Sequence, residues 1–333
     1  MPIPIILGGV SLLAAAYGAK KGLDAKSDYD RAEYLNDEAK KTYDKATKNL
    51  TISKETTNKK LEKLGKLKIG IYQDSLGDFV ETFSQIKNID FEDNLDIGTN
   101  IDVDYSSMLK IKESVIEIKE VLGGGIAALG GGAAAGFGAF GGVGMLATAS
   151  TGTAIGSLSG VAATNATLAW LGGGALSTGG MGIAGGVAVL GGVVAGPVLA
   201  IGGAIMAAKA EEAKYNAYSN FNKAKVAAEQ MDAAKVVLDA ITLRVKEFTN
   251  VLKPLDETFE DYIGRMEDIV DNSNDYSKYS KQEKEVVMIT ASIAQTIKNV
   301  CDAPIIDEDG LVTKKSKRVL KKADKFLNKL EEV

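Results

Sequence analysis

Residues 121–208 open as VLGGGIAALGGGAAAGFGAFGGVG (121–144) and close as MGIAGGVAVLGGVVAGPVLAIGGAIMAA (181–208), and the whole stretch holds no Lys, Arg, Asp or Glu. Twenty-seven of the chain's 37 glycines lie inside it. All 83 charged residues, 39 basic and 44 acidic, therefore sit outside it. A mean hydropathy of +0.01 is thus the average of two different materials, and this segregation governs the reading of the rest.

Glycine is about 1 kcal/mol worse than alanine in a water-exposed helix, whereas hydrocarbon leaves an unpaired backbone no alternative to the helix. At about 1.5 Å per residue the stretch is long enough for two or three crossings of a bilayer core about 30 Å thick. The expected pieces are 122–148, 151–171 and 181–208, separated by Ser150-Thr151 and Ser177-Thr178-Gly179-Gly180. The middle piece, interrupted by Thr164-Asn165, is the weakest span and reads also as a re-entrant segment or hairpin turn. Small residues recur four apart at Gly124, Ala128, Gly132 and Gly136, at Gly152, Gly156 and Gly160, at Gly182 and Gly186, and at Gly192 and Gly196. That is the spacing of closely packed helix faces in membranes, and it predicts self-association. Trp170, the only tryptophan, stands beside the polar break as an interfacial anchor or as simple packing.

Outward from this block the chain reads as amphipathic helix. Ala32, Leu35, Ala39, Tyr43, Ala46 and Leu50 follow helical spacing within 23–67, and a second such pattern runs over 69–89. Residues 89–103 form an acidic loop without the calcium-loop pattern, and 106–120 resume helix. Beyond the block, 209–252 is expected to be a helix ended by Pro254, followed by a shorter helix over 257–270 and a polar linker over 271–278. A helix over 282–300 precedes a turn at Asp309-Gly310, where 304–313 could make a small hairpin. The last helix, 314–330, is basic: Lys314, Lys315, Lys317, Arg318, Lys321, Lys322, Lys325 and Lys329 surround an apolar face of Val319, Leu320, Ala323, Phe326, Leu327 and Leu330. It suits an anionic lipid surface, worth about 1 kcal/mol per basic residue, or an acidic partner; a solvated face is the plain reading.

The fold class is therefore all-α, with long amphipathic helices flanking a glycine-rich hydrophobic helical hairpin or bundle. Its regions are an apolar N-terminal anchor candidate (1–19), an amphipathic region (20–120), the inserting block (121–208), a long and a short helix (209–271) and a C-terminal region with the basic end (272–333). Lys20, Lys21 and Lys26 follow the apolar start, which would keep the charged body on the cytoplasmic side of the inner membrane. A soluble form with the block hidden in a helical shell is the other state expected.

Several chemistries find no basis. There is no histidine and one cysteine, Cys301, so neither a Ser/His nor a Cys/His nucleophile can be assembled and no intramolecular disulfide forms. The run Gly136-Phe137-Gly138-Ala139-Phe140-Gly141 matches G-x-G-x-x-G but follows a charged helix rather than a strand and has no acidic ribose partner. A net charge of −5 does not suggest nucleic acid. No catalytic residue, metal ligand or cofactor is assigned. The partners expected are a lipid bilayer and further copies of the chain.

The opening MPIPIILGG…AAAYGAKKGLDAKSDYDRAEYLNDEAK and the run TNATLAWLGGGALSTGGMGIAGGVAVLGGVVAGP (164–197) resemble a little-characterised family of bacterial glycine-rich membrane proteins. In layout the chain is also similar to apolipoprotein L and to the pore-forming domains of colicins. The resemblance implies a membrane-inserting, self-associating protein that forms a pore or a permeabilising or remodelling assembly. The alternative is a membrane-tethered scaffold or interaction protein without pore activity.

Overall fold

The computed structural model describes residues 19–91, 103–122, 131–141, 210–307 and 310–330. The protein is all-α, with no β-strand among the described residues. Among the described residues the helices are α1 (Ala19–Gln73), α2 (Ser75–Phe83), α3 (Tyr105–Leu122), α4 (Gly131–Phe140), α5 (Ala210–Asn272), α6 (Lys281–Cys301) and α7 (Lys314–Leu330), with a 3-10 turn at Tyr276–Lys278. These residues divide between two units, one within Met1–Lys54 and Gly191–Val236, the other within Glu55–Leu190 and Val237–Val333.

Helix α5 shows why such long elements form. Ala217, Ala224, Met231, Leu238, Val245, Leu252, Phe259 and Met266 are all buried and fall seven residues apart. A second buried line three residues on runs through Ala227, Ala234, Ile241, Phe248 and Leu255. Two apolar residues per heptad is the stripe by which one helix packs lengthwise on another. On α1 the same periodicity appears in Ala32, Ala39 and Ala46, and in Leu50, Thr57, Leu64 and Ile71.

In the first unit α1 and α5 pair in parallel. Arg31 Nε donates to the Tyr218 hydroxyl at 2.9 Å, and further along both helices Thr47 Oγ1 lies 3.5 Å from Met231 Sδ. Ala32, Leu35 and Ala217 are buried together with Phe221 against them.

The second unit holds the main core. Here too the two long helices run parallel: Thr57 Oγ1 donates to the Leu238 carbonyl at 3.3 Å and lies 3.0 Å from Thr242 Oγ1, and further along both the Lys68 ammonium lies 5.0 Å from the Phe248 ring centroid. Helix α2 packs on α3, α3 on α6 and α6 on α7. Phe79 lies 5.1 Å from Phe83 and 5.6 Å from Phe259, ring centroid to centroid, joining α2 to α5. Helix α6 begins with a capping box, Glu283 N–H donating to Ser280 Oγ at 3.3 Å and Ser280 N–H to Glu283 Oε2 at 2.7 Å.

Three boundaries differ from expectation. Pro254 does not end a helix: α5 continues through it to Asn272. Its heptad neighbours Leu252, Leu255 and Phe259 are completely buried, and that packing outweighs the local loss of a backbone bond. The helical pattern over 69–89 is broken at Asp74, between α1 and α2. The hairpin expected over 304–313 is reduced to one bridge between Ile306 and Val312, with Gly310 at φ +78°.

The transmembrane and membrane-located readings are corrected. Among the described residues no helix is long and apolar enough to cross a membrane. The part of the glycine block that is described beyond Leu122 is the ten-residue helix α4 and Gly141 after it. The helix spans about 15 Å, half a hydrocarbon core. It is seated within the second unit, with Ala134, Phe137 and Ala139 buried. The expected spans at 151–171 and 181–208 and, apart from Ala19, the N-terminal anchor over 1–19 lie outside the described residues.

Candidate functional site: a lysine-lined groove

Two places in the second unit concentrate polar chemistry around the end of α6. The first is the seat of α4. Gly65 of α1 and Gly138 of α4 meet backbone to backbone: a Cβ on Gly65 would lie 2.6 Å from the Ala134 carbonyl carbon, and one on Gly138 would lie 3.0 Å from that of Leu61. Beside this contact the Lys68 ammonium is fully buried. It donates to the Cys301 carbonyl at 2.9 Å, stands 3.5 Å from the Gly138 carbonyl and lies 5.0 Å from the Phe248 ring centroid. Both carbonyls are at helix C-terminal ends, where unpaired oxygens and the helix dipole favour a cation. Burial holds the Lys68 pKa down to about 8, against the support of nearby Cys301 and Asp302, and pushes the Cys301 thiol up to about 12. The Ala139 carbonyl accepts the Ile305 N–H at 2.7 Å, and Gly141, at φ +63°, leaves only 2.5 Å between an added Cβ and the Cys301 oxygen. The arrangement fixes α4. A thiol held protonated and a lysine wedged between carbonyls are poorly placed as nucleophiles.

The second place is an open groove of about 860 Å³ between α6 and α7, with Ser107 of α3 at its edge. Helix α7 starts where Ser316 N–H donates to Thr313 Oγ1 at 3.0 Å, and it buries Leu320, Ala323, Phe326, Leu327 and Leu330 at helical spacing. That burial turns Lys315, Lys322, Lys325 and Lys329 toward the groove, with Val319, Ala323 and Phe326 between them. Helix α6 contributes Gln295 and Asn299, and Asp302, the residue that caps its C-terminal end, follows them in the lining. Gln295 Nε2 donates to Asn299 Oδ1 at 3.1 Å, while the buried Gln295 Oε1 meets no donor among the described residues. Asp302, the one carboxylate in the lining, is already engaged: it accepts from the Tyr72 hydroxyl at 2.7 Å and pairs with Lys298. Burial first, and then Asp302, raises the Tyr72 pKa, so the phenol stays a donor.

Of the basic residues named from the sequence, the groove gathers Lys315, Lys322, Lys325 and Lys329; Lys314, Lys317, Arg318 and Lys321 are exposed on α7 outside its lining. Gly132 and Gly136 lie on α4. Gly124, Gly152, Gly156, Gly160, Trp170, Gly182, Gly186, Gly192 and Gly196 lie outside the described residues. The close helix contact in the structure instead uses Gly65 and Gly138, neither of them singled out by the four-residue spacing. A signal existed in LEKLGKLKIG (61–70), where a glycine and a lysine interrupt the apolar face of an otherwise regular helix. Among the described residues no cluster of three His, Cys, Asp or Glu could hold a metal ion.

Compared with protein-family models, with curated proteins and with solved structures, the chain matches none. The likeness to bacterial glycine-rich proteins, apolipoprotein L and colicin domains therefore rests on the sequence alone.

Proposed function

We propose that this is a non-enzymatic helical interaction protein that holds an anionic partner in the groove between α6 and α7. The observation carrying this reading is the charge of the groove: four lysines line it, and its only carboxylate is already paired. The charge distribution supports it. Helix α7 has eight of the 39 basic residues and one of the 44 acidic ones, so it carries +7 and the remainder of the chain −12. A strongly basic element on an acidic body concentrates anions at one place and raises their rate of encounter.

The test is binding of fluorescent poly-L-glutamate to the full chain at low salt. Binding should weaken as ionic strength rises toward physiological, where the screening length falls to about 8 Å. It should be lost in the Lys315→Ala/Lys322→Ala/Lys325→Ala variant. Binding that is absent, or unchanged in that variant, overturns the reading. Release of dye from anionic liposomes by the full chain would favour the permeabilising assembly instead, and sedimentation of the same sample reads self-association.

A further inference from the structure

The seat of α4 and the lysine-lined groove meet at two consecutive residues. Cys301 belongs to the seat: its carbonyl accepts from the Lys68 ammonium at 2.9 Å, and Gly141 is packed closely on the same oxygen. Asp302 belongs to the groove, as the one carboxylate of its lining, and accepts from the Tyr72 hydroxyl at 2.7 Å. The Tyr72 ring in turn meets Phe137 of α4 edge to face, with centroids 6.3 Å apart and the rings at 77°. One line of contacts therefore runs from α4 through Phe137 and Tyr72 to Asp302. A second runs from the Gly138 carbonyl through Lys68 to the Cys301 carbonyl. Both end at the last turn of α6.

Helix α4 has little to hold it in place. Four of its ten residues are glycine, and each disfavours helix about five-fold relative to alanine. Its buried positions are Ala134, Gly136, Phe137, Gly138 and Ala139, so one large side chain anchors it among those described. The docked position also keeps the Lys68 ammonium out of water, a cost that two carbonyls offset only in part. Its neighbour α6 buries far more, with Val287, Met288, Ile289, Ile293, Ile297 and Val300 all in the core. An element with so few buried apolar contacts opens at a lower free energy than the whole fold.

We propose that α4 is a latch that docks and releases as a unit, and that its docked state keeps the groove receptive to an anion by seating Tyr72 on Asp302. On release, Tyr72 loses Phe137 and Lys68 returns to water. Asp302 then keeps Lys298 but loses its phenol donor, and the lining presents more negative charge to an incoming anion. By linkage, an anion held in the groove favours docked α4 to the same degree. The effect on the groove rests on the anion-binding reading; the latch does not.

The experiment follows the thiol of Cys301, the only cysteine and fully buried, in the full chain. Its labelling by a maleimide is timed at neutral pH and low salt, in urea below the unfolding transition, with and without saturating poly-L-glutamate. The expected rate is nearly independent of urea, as for a local opening, and about ten-fold higher in Gly138→Ala. Poly-L-glutamate should slow labelling of the wild type about three-fold. Tyr72→Phe, with the circular dichroism of the parent, should lose that protection and bind poly-L-glutamate about three-fold more weakly. Labelling that follows the urea dependence of global unfolding overturns the latch. Poly-L-glutamate that binds yet leaves the rate unchanged, or that protects Tyr72→Phe equally, overturns the control of the groove and leaves the anion-binding reading intact. No binding of poly-L-glutamate to the wild type removes that reading, and the control assigned to α4 falls with it.

Discussion

Gly65 and Gly138 sit with their backbones in direct contact, each so placed that an added Cβ would come within 3.1 Å of the other's amide nitrogen. The relationship is reciprocal and involves main-chain atoms on both sides, so no side-chain rotation can make room. Alanine at either position should destabilise the fold by about 2–4 kcal/mol, despite its better helix propensity. Gly264, on the exposed side of α5 with nothing within 4 Å of an added Cβ, is the control. There alanine should stabilise by about 0.5–1 kcal/mol. Urea unfolding of the three variants reads both signs. A neutral Gly138→Ala would mean that α4 is not held against α1 in this way.

The buried amine makes a prediction about pH. Lys68 titrates at about 8 in the folded protein against 10.5 for an ordinary lysine. Between these values the unfolded chain binds more protons than the folded one, so stability rises with pH. The penalty for the buried charge is fully present below pH 8 and is relieved above it. Cys301 acts in the opposite direction once pH passes 9, because its folded value lies at about 12 and the unfolded chain then binds fewer protons. The lysine's contribution is therefore read between pH 8 and 9. Over that interval the wild type should gain stability relative to Lys68→Met in urea unfolding. Parallel pH profiles would show an amine that keeps its charge in the fold.

Pro254 offers a third measurement. It lies inside α5, two residues after the buried Leu252 and next to the buried Leu255, with the Thr258 hydroxyl donating to its carbonyl at 2.9 Å. Proline is about 3 kcal/mol worse than alanine in a helix interior, and part of that is already absorbed by the packing around it. Pro254→Ala should raise unfolding free energy by about 1–3 kcal/mol and leave helix content unchanged. A loss of stability would show that the ring itself is required in the core.

The helical periodicity was legible from the sequence because it is a local property. Ala32, Leu35, Ala39, Tyr43, Ala46 and Leu50 were readable as one face; all are buried except Tyr43, which is half-buried. The apolar face of α7 and the lysines around it were equally plain. What the sequence hid were relationships across long separations. Reading Pro254 as a stop weighs one missing backbone bond and cannot see the heptads that continue on both sides. Reading Gly132 and Gly136 as a contact face follows four-residue spacing, while the contact itself depends on Gly65, 73 positions before Gly138 in the chain. Lys68 looks like any surface lysine until the ends of α4 and α6 are brought to it. An uncharged stretch reads as membrane in the absence of such partners, and α4 shows that its first part has partners in a helical core.

The parallel run of α1 and α5 has a consequence for biogenesis. Tyr218 follows its partner Arg31 by 187 residues, and no short turn can join two helices that point the same way. At ~5–20 residues per second a ribosome needs roughly 10–40 s to deliver the second helix after the first has emerged. For that interval the alanine stripe of α1 is a nascent surface without its mate, and the earliest step in making this protein is a wait.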